Sequence, residues 1–277
     1  MKLSYRSIKN AEATARYWNK SLDKADWYEI EALSDDEAEI LIYDVIGWPF
    51  NDAAELVRAL AEMKHKTITV RINSPGGDVF DSVAIFNALQ SHNSKIVTRI
   101  ESLAASSASF IALAGKEVQA YKNAVMMIHD PWVLAIGNQY DLREIADVLE
   151  KISGNMVDIY TSESNVGKKE VKEMLKAETW MTAKEAKEKG FIDTIVDGKA
   201  VKAQFDLSIF ANAPDDILSV QDSGRELTRK ETERALRNAG ASRDYARAMA
   251  AKGAGASDID VEMIEDLLKL KMLIGGN

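Results

Sequence analysis

Cysteine is absent from the 277 residues, and its absence excludes disulfides and thiolate metal sites. Proline occurs only four times, and no apolar run reaches the length needed to cross a bilayer. The opening Met1-Lys2-Leu3-Ser4-Tyr5-Arg6 lacks the apolar core of a secretory leader, so a soluble cytoplasmic protein is expected. Positive charge is also short: 35 Lys and Arg against 44 Asp and Glu give a net charge of −9. A surface of that sign does not coat phosphate backbones, which argues against a nucleic-acid partner. Histidine appears three times, so each imidazole can be weighed individually.

What remains is an ordinary globular composition, 46% hydrophobic and 29% charged, in a chain long enough for one generous core or a core with a small appendage. Residues 1–37 are polar and mixed, with Trp18 and Trp27 as isolated anchors, and read as an N-terminal extension. From Glu39 the pattern changes. Ile40 to Ile46 is a buried-strand signal ended by Gly47 and Pro49, and Asp52 then caps a helix with Leu56, Val57, Leu60 and Met63 at helical spacing. Thr67 to Ile72 is a β-branched strand running into Asn73-Ser74-Pro75-Gly76-Gly77. A helix with Val79, Val83, Phe86 and Leu89 on one face follows, then the strand Lys95 to Ile100 and the small-residue run Ala104-Ala105-Ser106-Ser107-Ala108-Ser109. Strand and helix in strict alternation predict a parallel sheet covered by helices, with functional loops at the carboxyl ends of its strands.

After His129, Gly137-Asn138-Gln139 leads into a long helix whose Leu142, Ile145, Leu149, Ile152, Met156 and Ile159 recur at alternating three- and four-residue steps. One stripe on so long a helix predicts a projecting element or an interface between subunits. A shorter helix reaches Glu178-Thr179-Trp180, Met181 to Ala186 opens another that stops at Gly190, and Phe191 to Val196 closes as a strand. Residues 199–224 read as linker. Residues 225–277 read as a helical C-terminal region, where Thr228-Arg229-Lys230-Glu231 is a capping box.

A serine hydroxyl is a poor nucleophile until a base takes its proton, and the acyl intermediate it forms needs N–H donors for its oxyanion. Ser106 heads a helix directly after a strand, Gly76-Gly77 can expose backbone amides after the neighbouring strand, and His129 closes a short apolar strand. A base of near-neutral pKa is what such a serine requires. Ser107 and Ser109 are decoys, since adjacent helical positions cannot share one exposure. His65 and His92 sit in polar helix ends and read as solvated. Glu178, Asp130 and Asp193 are the acids near this region; Asp130 should point away from His129, and Asp193 reads as structural.

Together Asn73-Ser74-Pro75-Gly76-Gly77, Ala104-Ala105-Ser106, Val125-Met126-Met127-Ile128-His129 and Ala183-Lys184-Glu185-Ala186-Lys187-Glu188-Lys189-Gly190-Phe191-Ile192-Asp193 resemble the ClpP-type serine peptidases, over a domain spanning 38–198. The wording Glu178-Thr179-Trp180 and the tail after Gly198 resemble the branch that matures heads of tailed phages and prophages. The resemblance implies an α/β fold, a ClpP/crotonase-like spiral of parallel strands and helices with a long handle helix, here with a small helical C-terminal appendage. It implies Ser106 as nucleophile, His129 as base, Glu178 at the position of the family's usual aspartate, and the amides of Gly77 and Ser107 as the oxyanion pair. It further implies rings or stacked rings of the same chain, a capsid or scaffold protein as substrate, a site in the bacterial cytoplasm or the prohead, and no cofactor. An ATP-driven unfoldase is the partner of classical members, and Gly167-Lys168-Lys169 lacks the upstream glycine and hydroxyl of a phosphate-binding loop, so ATP dependence would come from that partner. The alternatives are a crotonase-type acyl-CoA enzyme and a non-catalytic capsid assembly or scaffold protein. Glu101-Ser102 departs from the glycine and polar residue the family commonly has before Leu103.

Overall fold

The computed structural model describes residues 11–18, 20, 22, 27–133, 135, 137–198, 205 and 207–214. The chain divides into two compact units, Met1–Gln221 and Asp222–Asn277, and every described residue belongs to the first. The expected helical region 225–277 and the linker beyond Pro214 lie outside the described residues.

A short helix α1 (Ala11–Tyr17) precedes strands β1 (Tyr28–Ala32) and β2 (Glu37–Ile42). Then follow α2 (Ala53–Glu62), β3 (Thr67–Ser74), α3 (Val79–Gln90), β4 (Lys95–Ala105), α4 (Ser107–Ala112), β5 (Glu117–Tyr121) and β6 (Val125–Ile128). The long helix α5 (Gln139–Ser162), α6 (Lys168–Lys176), β7 (Thr179–Thr182), α7 (Ala183–Glu188) and β8 (Thr194–Val196) complete the peptidase-like region. The sheet order is β1-β2-β3-β4-β5-β8, parallel except for the edge pair β1–β2. This is the α/β class expected from the alternating pattern.

The spiral comes from β4. Its first half pairs with β5 through Val97 to Ile100, and its second half pairs with β6 through Leu103 to Ala105. β7 lies antiparallel on β6, so a small second layer peels away from the main sheet. β4 is buried along most of its length, and its buried polar residues are partnered: Thr98 Oγ1 donates to Ala112 O at 2.5 Å and Glu101 meets Arg71. Among the clusters of buried side chains, two flank β4. The larger joins Ile68, Ile72, Ile100, Phe110 and Tyr160; the smaller joins Leu103, Ala105, Met127, Leu207 and Phe210. Fully burying a side chain of the Val, Leu, Ile or Phe class contributes about 1.5–3 kcal/mol.

Four expectations are corrected. The helix read as reaching Glu178-Thr179-Trp180 ends at Lys176, and the next opens at Ala183 instead of Met181, because Thr179–Thr182 pairs with β6 as a strand. Residues 28–32 are not part of an extension. They form an edge strand, with Tyr28 opposite Ile42 and Ala32 opposite Ala38, and Trp27 beside it is buried. The strand predicted from Ile40 to Ile46 leaves the ladder after Ile42; Ile46 instead forms an isolated parallel bridge to Gly77. His92 is not a solvated surface group: its Nδ1 accepts from Ser94 N at 3.1 Å, so Nε2 carries the proton and donates to Leu60 O at 3.0 Å.

The long helix begins at the capping box of Asn138 and Asp141. Only its C-terminal half packs, through Met156, Val157 and Tyr160, while Tyr140, Leu142 and Val148 are exposed. The predicted projecting element is therefore its N-terminal half. No described helix is long and apolar enough to cross a membrane.

Candidate active site

Ser106 stands at the junction of β4 and α4 with φ 52° and ψ −129°, outside the regions favoured by residues with a side chain. Such a conformation survives only where the surroundings over-determine it. They do: Ser106 N donates to Met127 O at 2.9 Å, and Ser106 O accepts from Ser109 N at 3.0 Å and Ser109 Oγ at 2.5 Å. The strained turn lifts the Ser106 hydroxyl off the end of the strand.

His129 follows β6 directly and is 8% exposed. Its Nε2 lies 2.7 Å from Ser106 Oγ. The ordering is local in origin: β4 and β6 pair in register up to Ala105 and Met127, so the residues just beyond both strand ends meet. Burial lowers the His129 pKa, and the Glu178 and Asp130 carboxylates offset that shift only in part. Burial therefore favours the neutral ring, the form that can accept a proton.

The other serines of the run have structural partners. Ser82 Oγ of α3 donates to Ser107 Oγ at 2.8 Å, and Ser109 Oγ lies 2.6 Å from the buried Tyr160 hydroxyl of α5. They brace α4 from two sides, and burial raises the Tyr160 pKa well above its ordinary value.

Gly76 and Gly77 face the same turn. A Cβ on Gly76, whose φ is +94°, would stand 2.7 Å from Ala105 O, 2.8 Å from Ser106 Cβ and 2.9 Å from Ser107 N. A Cβ on Gly77 would stand 1.9 Å from Ile46 O. The loop through Ile46 grips this pair, with Ile46 N donating to Gly76 O at 2.9 Å and Asp78 N to Ile46 O at 2.8 Å. Among the described turn and cap hydrogen bonds here, Gly76, Asp78, Ser106 and Ser109 are backbone donors; the amides of Gly77 and Ser107 are not. Ser107 is the first residue of α4, where helical geometry leaves the N–H without an internal partner.

Glu178 is brought to the same pocket but is not joined to His129 by a hydrogen bond. It sits just past α6 at φ 50°, the left-handed position where helices usually place glycine. Its carboxylate accepts from Asn212 N at 2.6 Å, Ala211 N at 3.0 Å and Trp180 Nε1 at 3.2 Å. Asp130, by contrast, accepts from Ser153 Oγ of α5 at 2.5 Å, and Asp193 Oδ2 accepts from Val118 N at 2.8 Å. Asp130 lines the cavity beside His129 with its carboxylate bonded to α5, and Asp193 is engaged structurally between β5 and β8.

Several residues at the site carried no sequence signal. The Phe210 ring lies edge-on to His129 at 5.7 Å and to Trp180 at 5.6 Å. Tyr17 donates to Ile209 O at 3.1 Å, and its pKa is pushed up to about 12 by burial and then by the Glu178 carboxylate. These contacts span up to 192 positions of chain, so no local pattern announces them. Together these two segments wall a cavity of about 370 Å³ bounded by Tyr17, His129, Trp132, Glu178 and Phe210. Among the described residues no group of three or more His, Asp or Glu could hold a metal ion.

Away from the site, Glu101 is fully buried. Arg71 Nε donates to it at 2.7 Å and Arg71 Nη1 to Glu39 at 2.8 Å, while the Tyr43 and Tyr121 hydroxyls also donate to Glu101. The departure at this position is thus a satisfied ion network within the sheet.

Comparison with known proteins adds to this geometry. Residues 23–199 match the profile of the Clp protease family. The ATP-dependent Clp protease proteolytic subunit of Bacteroides thetaiotaomicron is 33% identical over 133 residues, 47% of this chain and 60% of that protein. The subunit of the same name from Bacteroides fragilis (strain ATCC 25285) is 33% identical over 133 residues, 47% of this chain and 64% of its own length. The ATP-dependent Clp protease proteolytic subunit 1 of Prochlorococcus marinus (strain MIT 9312) is 32% identical over 151 residues, 54% of this chain and 77% of that protein. The chain thus spans a little under two thirds of the Bacteroides relatives it matches.

Proposed function

This chain belongs to the Clp protease family, and on that premise we propose that it is a serine endopeptidase with Ser106 as nucleophile and His129 as general base. The observation that carries the reading is the 2.7 Å separation of Ser106 Oγ and His129 Nε2 on a strained strand-to-helix turn. With a proton on Nδ1, His129 Nε2 takes the Ser106 proton as Oγ attacks the peptide carbonyl carbon. The amides of Gly77 and Ser107 hold the oxyanion. The C–N bond then breaks, the leaving amine takes the proton from Nε2, and water repeats the sequence on the acyl-enzyme. Loss of one oxyanion donor typically lowers the rate about 10²–10³-fold. Glu178 is the positioning residue for His129 in this reading, supported by the cavity the two residues line together.

Labelling by a fluorophosphonate probe tests the core of the proposal, because only an activated serine reacts. The wild-type chain should label and Ser106→Ala should not, with its unfolding transition unchanged. Equal labelling of both forms would defeat the assignment of Ser106.

The finer reading is a head maturation protease that trims a capsid or scaffold protein, supported by the wording Glu178-Thr179-Trp180 and by the tail after Gly198. Co-expression with a capsid precursor should give processed protein that Ser106→Ala fails to produce; unprocessed precursor with active enzyme would remove this reading. Assembly into rings is supported by the exposed Tyr140, Leu142 and Val148 of α5, and an ATP-driven partner by the similarity to subunits of ATP-dependent proteases. Native mass measurement, alone and with an unfoldase, reads both.

A further inference from the structure

The segment Leu207–Asn212 follows the peptidase-like region yet turns back across its site. Leu207 and Phe210 are buried in one cluster with Leu103 and Ala105 of β4 and Met127 of β6, the two strands that Ser106 and His129 directly follow. Phe210 fills an aromatic slot formed by His129, Trp180 and, at 6.5 Å, Trp18. Immediately beyond it the chain donates two consecutive amides, from Ala211 and Asn212, to the two oxygens of Glu178. Asn212 Nδ2 adds a bond to Ala177 O at 3.2 Å. The anchor is carried on a 3-10 turn, Leu207–Ile209, closed by Phe210 N donating to Leu207 O at 3.1 Å. In a bound segment a side chain seated in a pocket supplies specificity and main-chain hydrogen bonds supply affinity, and this turn of chain presents both.

We propose that Leu207–Asn212 is a tethered occupant of this chain's own substrate groove, and that a substrate displaces it by placing an aromatic side chain in the slot that holds Phe210. The inference rests on the serine peptidase reading. It names the substrate class as polypeptide segments with an exposed aromatic residue. It also accounts for Glu178, whose carboxylate is engaged by the occupant instead of by His129. Displacing the segment releases both the slot and the carboxylate.

A tethered competitor reduces the fraction of enzyme able to bind substrate, and apparent affinity falls by that fraction. In the full-length protein, Phe210→Ala should lower KM for a fluorogenic peptide carrying one phenylalanine by about tenfold, with kcat nearly unchanged. Ala211→Pro keeps the ring but deletes one amide donor to Glu178, and should lower KM in the same direction. A synthetic peptide matching Phe205–Pro214 should compete with substrate in Phe210→Ala, and the same peptide with alanine at the Phe210 position should not. If Phe210→Ala fails to fold, Ala211→Pro and competition by the peptide against the wild-type chain decide. Unchanged KM in both variants, with no competition by the peptide, overturns the inference; if fluorophosphonate still labels Ser106, the peptidase reading stands without it. If no form labels, the peptidase reading falls and takes this inference with it.

Discussion

Gly76→Ala is the sharpest probe of how the site is built, because Gly76 touches the catalytic turn without supplying a reacting group. Its new methyl would lie 2.7, 2.8 and 2.9 Å from Ala105 O, Ser106 Cβ and Ser107 N, whereas ordinary contact begins at 3.4 Å. All three atoms belong to the turn itself, so no flexible side chain can swing aside. The turn must retreat by roughly half an ångström or more, and misplacing reacting groups by about 1 Å can cost about 10²-fold in rate. The backbone at φ +94° adds strain of about 1–3 kcal/mol for a residue with a side chain. The expectation is a fall of about 10- to 10²-fold in the second-order rate of fluorophosphonate labelling, with a drop of a few degrees in Tm. Gly154→Ala is the control: a Cβ there meets nothing within 4 Å, and the helix should gain up to about 1 kcal/mol. Wild-type labelling by Gly76→Ala, alongside the lowered Tm, would refute the claim that this glycine sets the position of Ser106.

Two further perturbations test the electrostatics. Because burial lowers the His129 pKa, the acidic limb of kcat/KM against pH should lie below the ordinary imidazole value of 6.5, with activity lost as pH falls through it. Glu178→Gln deletes a carboxylate that raises that pKa, so the limb should move lower still; an upward shift would contradict the placement of Glu178. Arg71→Met strands the fully buried Glu101 and should destabilise by about 3–5 kcal/mol in denaturant unfolding. Adding Glu101→Leu should recover most of that loss, and a single-variant loss below about 1 kcal/mol would show that Arg71 does not neutralise Glu101.

The parts of the molecule legible in the sequence are those fixed by short-range chemistry. Asp52 caps α2 through Ala54 N, and the β-branched run of β3 is a strand, because both signals are local. The meeting of Ser106 and His129 is also readable, since each directly follows a strand of one parallel pair. Tyr28-Glu29-Ile30-Glu31 does alternate, but an edge strand largely exposed on both faces gives too weak an apolar contrast to stand out from a polar extension. Ile42 to Ile46 is apolar enough for a continuous strand; only the grip of Ile46 on the Gly76-Gly77 turn shows why the ladder stops. Where the Glu178 carboxylate points is beyond reach of sequence, because the amides it meets lie 33 and 34 residues downstream, past β8.

The dihedral angles of Ser106 reach beyond catalysis to the range of residues this position can host. Threonine carries the same alcohol, but its branched carbon suits a backbone of positive φ least. Of the two aliphatic alcohols in the genetic repertoire, the fold accommodates one. The substitution Ser106→Thr should therefore cost the protein its function through backbone geometry before the chemistry of the new hydroxyl is ever tried.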